Sequence, residues 1–361
     1  MSSKRTGVEG ALWMGLIGLA FAQPVVAQGA LEQEDTPAAV GQEQQAAAAE
    51  ARSTEVVTLF EERSILGAGG KFTIEPSISY SHNSSTVVAV EGFTIIPALV
   101  VGLINVSQVQ RDTLVGAIGF RYAFHNRLQL SLKVPYVQTK ESIRERQAFD
   151  GSPVDIVNNS KGDGLGDIEG AIQYQFNAGS PPYFTGSLRF KSHTGTSPFQ
   201  IDRRVLKDQN GKELGFVFAE QPTGSGFWAI QPALSMVYPS DPAVLYWNIS
   251  YLCNVERDWG PKYGWTIDPG DAVGFSFGLG FAINERTSFS LGYDHSTINR
   301  TWVEGAKSKI DATFDRYQVG SFMIGINQAL TKQTQLGVSL GIGVTEQAPD
   351  IQLTLRTPFT F

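Results

Sequence analysis

The run Asp294-His295-Ser296 places an acid, a base and a nucleophile in consecutive positions. Acyl transfer needs a serine within hydrogen-bond reach of a histidine that a third group orients. On a β-strand, successive side chains point to opposite faces, so His295 would face one way and Asp294 and Ser296 the other. A lipid-hydrolysing enzyme is therefore a remote reading, and the histidine reads as a polar rim residue. No catalytic residue is assigned. His82, His125, His193 and His295 are too dispersed for a metal cluster, so no metal and no cofactor are expected. The run Lys161-Gly162-Asp163-Gly164-Leu165-Gly166-Asp167 lacks the Gly-Lys-Ser/Thr ending of a phosphate loop and the spaced carboxylates of an EF-hand. It reads as a glycine-rich loop returning to a strand.

A second set of candidates carries charge rather than catalysis. Glu75, Arg121, Lys133, Asp167, Glu169, Arg189, Lys191, Asp294 and Arg356 each fall on the polar face of a segment whose other face is apolar. Isolated charges in a dry core lose several kcal/mol of hydration each. Water or counter-charges must satisfy them. Two arrangements fit: paired struts across a narrow lumen, or the lining of an aqueous path.

The elements that hold these residues are strands. In the last eleven residues, Ile351, Leu353, Leu355, Phe359 and Phe361 share one face, and Gln352, Thr354, Arg356 and Thr360 the other. Similar alternation marks thirteen strand-like segments, each about ten residues long and bounded by Gly, Pro, Asn or Asp. The outer sets are strongly apolar: Leu128, Leu130, Leu132, Val134 and Tyr136 in one segment, Leu336, Val338, Leu340, Ile342 and Val344 in another. Aromatic residues near segment ends, among them Tyr122, Phe124, Tyr136, Tyr174, Phe176, Trp228, Tyr238 and Tyr246, suit interfacial girdles.

Connections alternate between short ones, such as His125-Asn126 and Asn284-Glu285-Arg286, and long ones covering residues 139–165, 194–225, 255–271 and 298–316. That asymmetry predicts an all-β, transmembrane antiparallel up-and-down β-barrel with short periplasmic turns. Parity with both termini in the periplasm gives twelve strands, residues 84–111 forming a first external loop. Fourteen is the alternative, with residues 87–106 as an added hairpin, against which Pro97 counts.

The first residues set the compartment. Lys4 and Arg5 precede an apolar run from Ala11 to Ala22, and small residues near Ala27 suit cleavage there. The expected division is a signal peptide at 1–27, a periplasmic helical segment and hinge at 28–70, and an outer-membrane barrel at 71–361. The chain carries a net charge of −7, which counts against nucleic acid as a partner. Its one cysteine, Cys253, permits no intrachain disulfide. A bacterial outer-membrane location implies lipid and the barrel-assembly machinery as partners. Phe359 and Phe361 would then serve as the assembly signal.

Ahead of the barrel, apolar residues in 54–66 recur at helical spacing. Glu55, Val56, Leu59, Phe60, Glu61, Glu62 and Arg63 form the candidate plug, whose charges would meet lumenal Arg and Lys. The alternatives are a periplasmic tail and a helix that associates with its copy on another chain.

Several phrases are similar to a known family. Glu61-Glu62-Arg63-Ser64-Ile65-Leu66, Phe72-Thr73-Ile74-Glu75-Pro76-Ser77-Ile78-Ser79-Tyr80-Ser81-His82, Gly164-Leu165-Gly166-Asp167-Ile168-Glu169-Gly170 and Asp268-Pro269-Gly270-Asp271-Ala272-Val273-Gly274 resemble the outer-membrane pore of the functional-amyloid (Fap) secretion system. The resemblance implies a twelve-stranded barrel, occluded by an N-terminal plug helix and forming a homotrimer, that exports unfolded amyloid subunits. Related barrels associated with phenol-degradation pathways share the Gly-Leu-Gly-Asp turn and imply uptake of small molecules. The expected function is an outer-membrane pore with an exported polypeptide or a small-molecule cargo, the latter including aromatics.

Overall fold

The fold is seen in a computed structural model, which describes residues 70–85, 106–125, 127–146, 155–207, 213–259, 265–305, 312–314 and 316–361. The expected signal peptide, the plug residues Glu55 to Arg63 and the added hairpin at 87–106 fall outside them, apart from the last residue of that hairpin, which opens a strand.

Twelve antiparallel strands close into a barrel. They are β1 (Phe72–Ser85), β2 (Val106–His125), β3 (Leu128–Arg146), β4 (Glu169–Gln175), β5 (Tyr183–Lys191), β6 (Ala229–Pro239), β7 (Ala243–Asn254), β8 (Ala272–Asn284), β9 (Thr287–Ile298), β10 (Tyr317–Ala329), β11 (Gln335–Gly343) and β12 (Ile351–Arg356). Each pairs with its neighbours in sequence, and β12 returns to β1 with Ser77 opposite Arg356 and His82 opposite Ile351. Closure leaves no open edge to the ring of twelve described strands, which a lipid environment requires.

The register fixes which residues look inward. Glu75 lies opposite Gly119, Gly119 opposite Lys133, Lys133 opposite Glu169, and Glu169 opposite Lys191. Since strand neighbours share a face, the whole row points into the lumen. The alternate residues look outward and stay exposed: Ile118 at 49%, Ile249 at 49%, Phe277 at 53%. A continuous apolar belt of this kind is unfavourable in water and is satisfied by hydrocarbon.

Strands end differently from the sequence-based bounds. The ladder of β2 with β3 starts at Val106 and that of β3 extends to Arg146, so much of the anticipated loop 139–165 is paired strand. A strand at Asp155–Leu165 continues the line of β4 against β3, and Gly166-Asp167-Ile168 interrupts the two halves. The long connections carry their own sheets, a hairpin of Arg203–Lys207 with Glu213–Phe218 and a four-stranded sheet that includes Trp265–Asp268 and Thr301–Gly305.

Turns at the opposite end are tight. In the β4–β5 turn, the Asn177 amide donates to Pro182 O (2.6 Å), and its Oδ1 accepts from Phe184 N (2.7 Å). One side chain thus replaces the ladder bonds the turn loses.

Candidate functional site

The interruption at Gly166-Asp167-Ile168 turns Asp167 inward, where it is 8% exposed. Its carboxylate collects four donors. Gly195 N donates to Oδ1 at 3.0 Å, while Ser225 N (2.9 Å) and Ser225 Oγ (2.7 Å) donate to Oδ2. The Lys191 ammonium, 1% exposed, lies 3.4 Å from Oδ2 and also bonds Ser225 Oγ. Gly195 and Ser225 belong to the two limbs of the connection between β5 and β6, so one buried carboxylate holds both limbs to the barrel wall. Burying an ion is tolerable only when its lone pairs are met in this way.

A second anchor lies on the adjoining strands. The Gln221 amide nitrogen donates to Glu141 Oε1 (2.8 Å) and Ser160 Oγ (2.7 Å), and Glu141 Oε2 accepts Arg111 Nε at 2.9 Å. Residues 221–227 are all buried as a result. Glycine makes the fit possible: a Cβ on Gly224 would stand 2.3 Å from Asp167 Oδ1, and Gly226 has φ +84°. The left-handed backbone at Gly226 disfavours any side chain. Beyond the anchors, Phe199, Phe227 and Trp259 form an aromatic cluster with ring centroids 4.5–5.9 Å apart. Arg257 stacks over Trp259 at 4.4 Å and donates to Gly226 O at 2.7 Å. The described part of the connection between β5 and β6 is therefore packed against the barrel wall at the loop end.

Inside lies a cavity of about 710 Å³. Glu75, Arg121, Lys133, Glu169, Arg189, Asp294 and Arg356 line it; Asp167 and Lys191 do not, because they are buried beneath the inward loop. Arg121 pairs with Glu75, and Arg189 reaches Glu169 at 3.4 Å while also bonding Gln231. Arg356 Nη2 approaches Asn327 Oδ1 at 3.5 Å. Lys133 makes no ion pair among the described residues, although its strand neighbour is Glu169. The opposite arc is built of small residues: Ser250, Gly274, Ser276, Ser290 and Gly325 line the same cavity.

Tyr246 departs from the expected girdle. Register puts it opposite Val237 and Gly278 on the lumenal face, where it is 8% exposed. A Cβ on Gly278 or Gly292 would come within 2.3 Å of its hydroxyl, so the ring lies against two strands stripped of side chains. Tyr122, Phe124, Tyr136, Tyr174, Phe176, Trp228 and Tyr238 are exposed, as an interfacial position requires. Phe359 and Phe361 are exposed beside β1, Phe361 donating its N–H to Phe72 O at 2.8 Å.

The Asp294-His295-Ser296 run splits across the wall. His295 points outward and its Nδ1 lies 3.0 Å from the Tyr293 hydroxyl, while Asp294 and Ser296 line the cavity side. Residues absent from the sequence-based site, Arg111, Glu141, Gln221, Ser225 and Gln231, include two that alternation alone marks as inward once β2 and β3 are extended.

A closed, twelve-stranded, antiparallel wall with an apolar outer belt matches a solved channel. The structure is similar to the COG4313 outer-membrane channel from Pseudomonas putida F1, with TM-score 0.56 and 14% identity over 83% of this chain and 98% of that one. The likeness shows the fold of an outer-membrane β-barrel. Residues 218–361 match the family model described as "Putative MetA-pathway of phenol degradation". The barrel also aligns with the translocator domain of the autotransporter NalP from Neisseria meningitidis (9% identity, 88% of this chain and 97% of that, TM-score 0.39). A third alignment is with the P. putida toluene transporter TodX (10%, 82% and 89%, TM-score 0.36). Neither of these two is similar enough to bear on function.

Proposed function

We propose that the barrel is a channel admitting small organic molecules, aromatic ones among them. The observation that carries this reading is a cavity of about 710 Å³ inside the barrel wall, lined by residues of the barrel strands. That volume lies within the roughly 300–1,000 Å³ of small-molecule sites. The family description matched by residues 218–361 supports the same cargo class. Amyloid-subunit export, implied by the resemblance to the Fap pore, finds less support: an extended polypeptide needs a continuous passage where Asp167, Gln221 and the aromatic cluster hold the chain inward.

A deletion strain decides between the two. Slower entry of labelled phenol at limiting concentration, with extracellular fibre unchanged, is expected. Loss of fibre with unchanged phenol entry would overturn the uptake reading.

We also propose that Glu55 to Arg63 act as a plug; removing residues 28–66 is then expected to raise single-channel conductance, and unchanged conductance rules the plug out. Phe361 is proposed as the assembly signal. Its ring is 69% exposed, so Phe361→Ala is expected to lower membrane insertion without lowering the stability of the inserted barrel. Normal insertion of that variant excludes the role.

A further inference from the structure

The charged arc of the lumen is not evenly paired. Along it, each carboxylate has a basic partner: Glu75 takes Arg121, Glu169 takes Arg189, and Asp167 takes Lys191. Lys133 lies in the same row, between Gly119 and Glu169 by register, yet has no carboxylate within 4 Å among the described residues. Its ammonium is open to the cavity, whereas Lys191 two strands away is sealed under the inward loop.

The surroundings of Lys133 suit a negative group. Ser131 and Gln129 stand on the same strand and face, and the Gln129 amide reaches the Gln173 carbonyl at 3.0 Å, so uncharged donors flank the ammonium. Arg121 and Arg189 line the same cavity, each beside its own carboxylate partner. A fixed cation on the wall of a confined lumen focuses field lines and raises the local concentration of counter-ions. The other side of the same cavity, with Tyr246, Met323 and Ala233, offers surface for a body without charge.

We propose that Lys133 is an anion-recognition site and that the cargo is a small organic monocarboxylate, held by its carboxylate at Lys133 and by its uncharged body against the opposite arc. This rests on the channel reading above. It assigns a job to the one lysine among the residues that line this cavity, which contributes no ion pair to the wall among the described residues.

The test uses the full-length barrel in proteoliposomes, with benzoate as the anionic probe and benzamide as its uncharged counterpart. Lys133→Gln is expected to lower the benzoate-to-benzamide influx ratio by ~10-fold, since focusing by fixed charge changes encounter by factors of this order. Lys133→Arg is expected to retain the ratio, because it keeps the charge. Because Lys133 points into the cavity and supports no neighbour, these variants should assemble; heat-modifiable migration checks that they do. An unchanged ratio in Lys133→Gln overturns the site, as does a ratio in Lys133→Arg as low as in Lys133→Gln. An equal effect on chloride entry overturns the monocarboxylate assignment. If wild-type liposomes admit neither probe, the channel reading itself fails; if they admit benzamide and Lys133→Gln leaves benzoate entry unaltered, only the anion site fails.

Discussion

The two arcs of the lumenal wall are built on opposite principles. From β1 to β5 the inward set carries most of the ionised residues, and the wall is held by pairing, as in Glu75 with Arg121 and Asp167 with Lys191. From β7 to β11 glycine and serine predominate, and the wall is held by close approach, as where Tyr246 covers Gly278 and Gly292. A paired arc fails when an atom is removed and its partner is left buried. A close-packed arc fails when an atom is added.

The largest expected effect is therefore a deletion on the first arc. Asp167→Ala strands the Lys191 ammonium, 1% exposed, and releases Gly195 and Ser225 together. A cost of about 3–5 kcal/mol is expected for breaking a buried pair from one side. Urea unfolding in detergent micelles measures it, and bilayer recording should show higher conductance as both limbs of the inward loop lose their anchor. Unchanged stability and conductance would mean that Gln221 and the aromatic cluster hold the loop without it. Phe227→Ala separates these contributions: its ring is 1% exposed between Phe199 and Trp259, and truncation is expected to cost about 3 kcal/mol while leaving the Asp167 anchor in place.

On the second arc the expected damage comes from a single methyl. Gly292→Ala would set Cβ 2.2 Å from the Tyr246 hydroxyl, with the next obstruction, Phe277 O, at 3.2 Å. Displacing the ring is expected to cost about 1–3 kcal/mol, the usual range for overpacking. Adding Tyr246→Phe removes the clashing oxygen, so the double variant is expected to recover part of the loss, a coupling of about 1 kcal/mol in a double-mutant cycle. Additive losses would place the strain in the strands instead of the ring.

The same contrast explains what alternation reveals and what it hides. Period two exposes the inner set because charge beside aliphatic residues is a strong signal, and Glu75, Lys133 and Arg189 are legible from it. Glycine and serine carry no such signal, and Tyr246, taken for an interfacial aromatic, is lumenal because its glycine partners sit on two other strands, far away in sequence. The inward loop was hidden for a related reason. Gly224-Ser225-Gly226 reads as an ordinary polar connection, and only the partner at Asp167, a break in a strand some 58 residues earlier, turns it into an anchor.

The smallest expected effect lies outside both arcs and shows how little an exposed charge contributes when nothing is stranded by its loss. Asp268, in the sheet above the barrel, has its carboxyl pushed above the ordinary value by partial burial, then by Glu256 and Asp271. The folded chain thus holds this proton more tightly than the unfolded chain does. Stability is then highest below the unfolded pKa and falls as pH rises through the raised folded value. Acidification from neutral pH should therefore raise the protection factors, corrected for the intrinsic pH dependence of exchange, where Trp265–Asp268 pairs with Thr301–Gly305, and Asp268→Asn should abolish that rise. Protection factors that fall on acidification would contradict the assigned direction. Either way the barrel below should be unmoved, because Asp268 bonds to none of the inward residues that hold its wall.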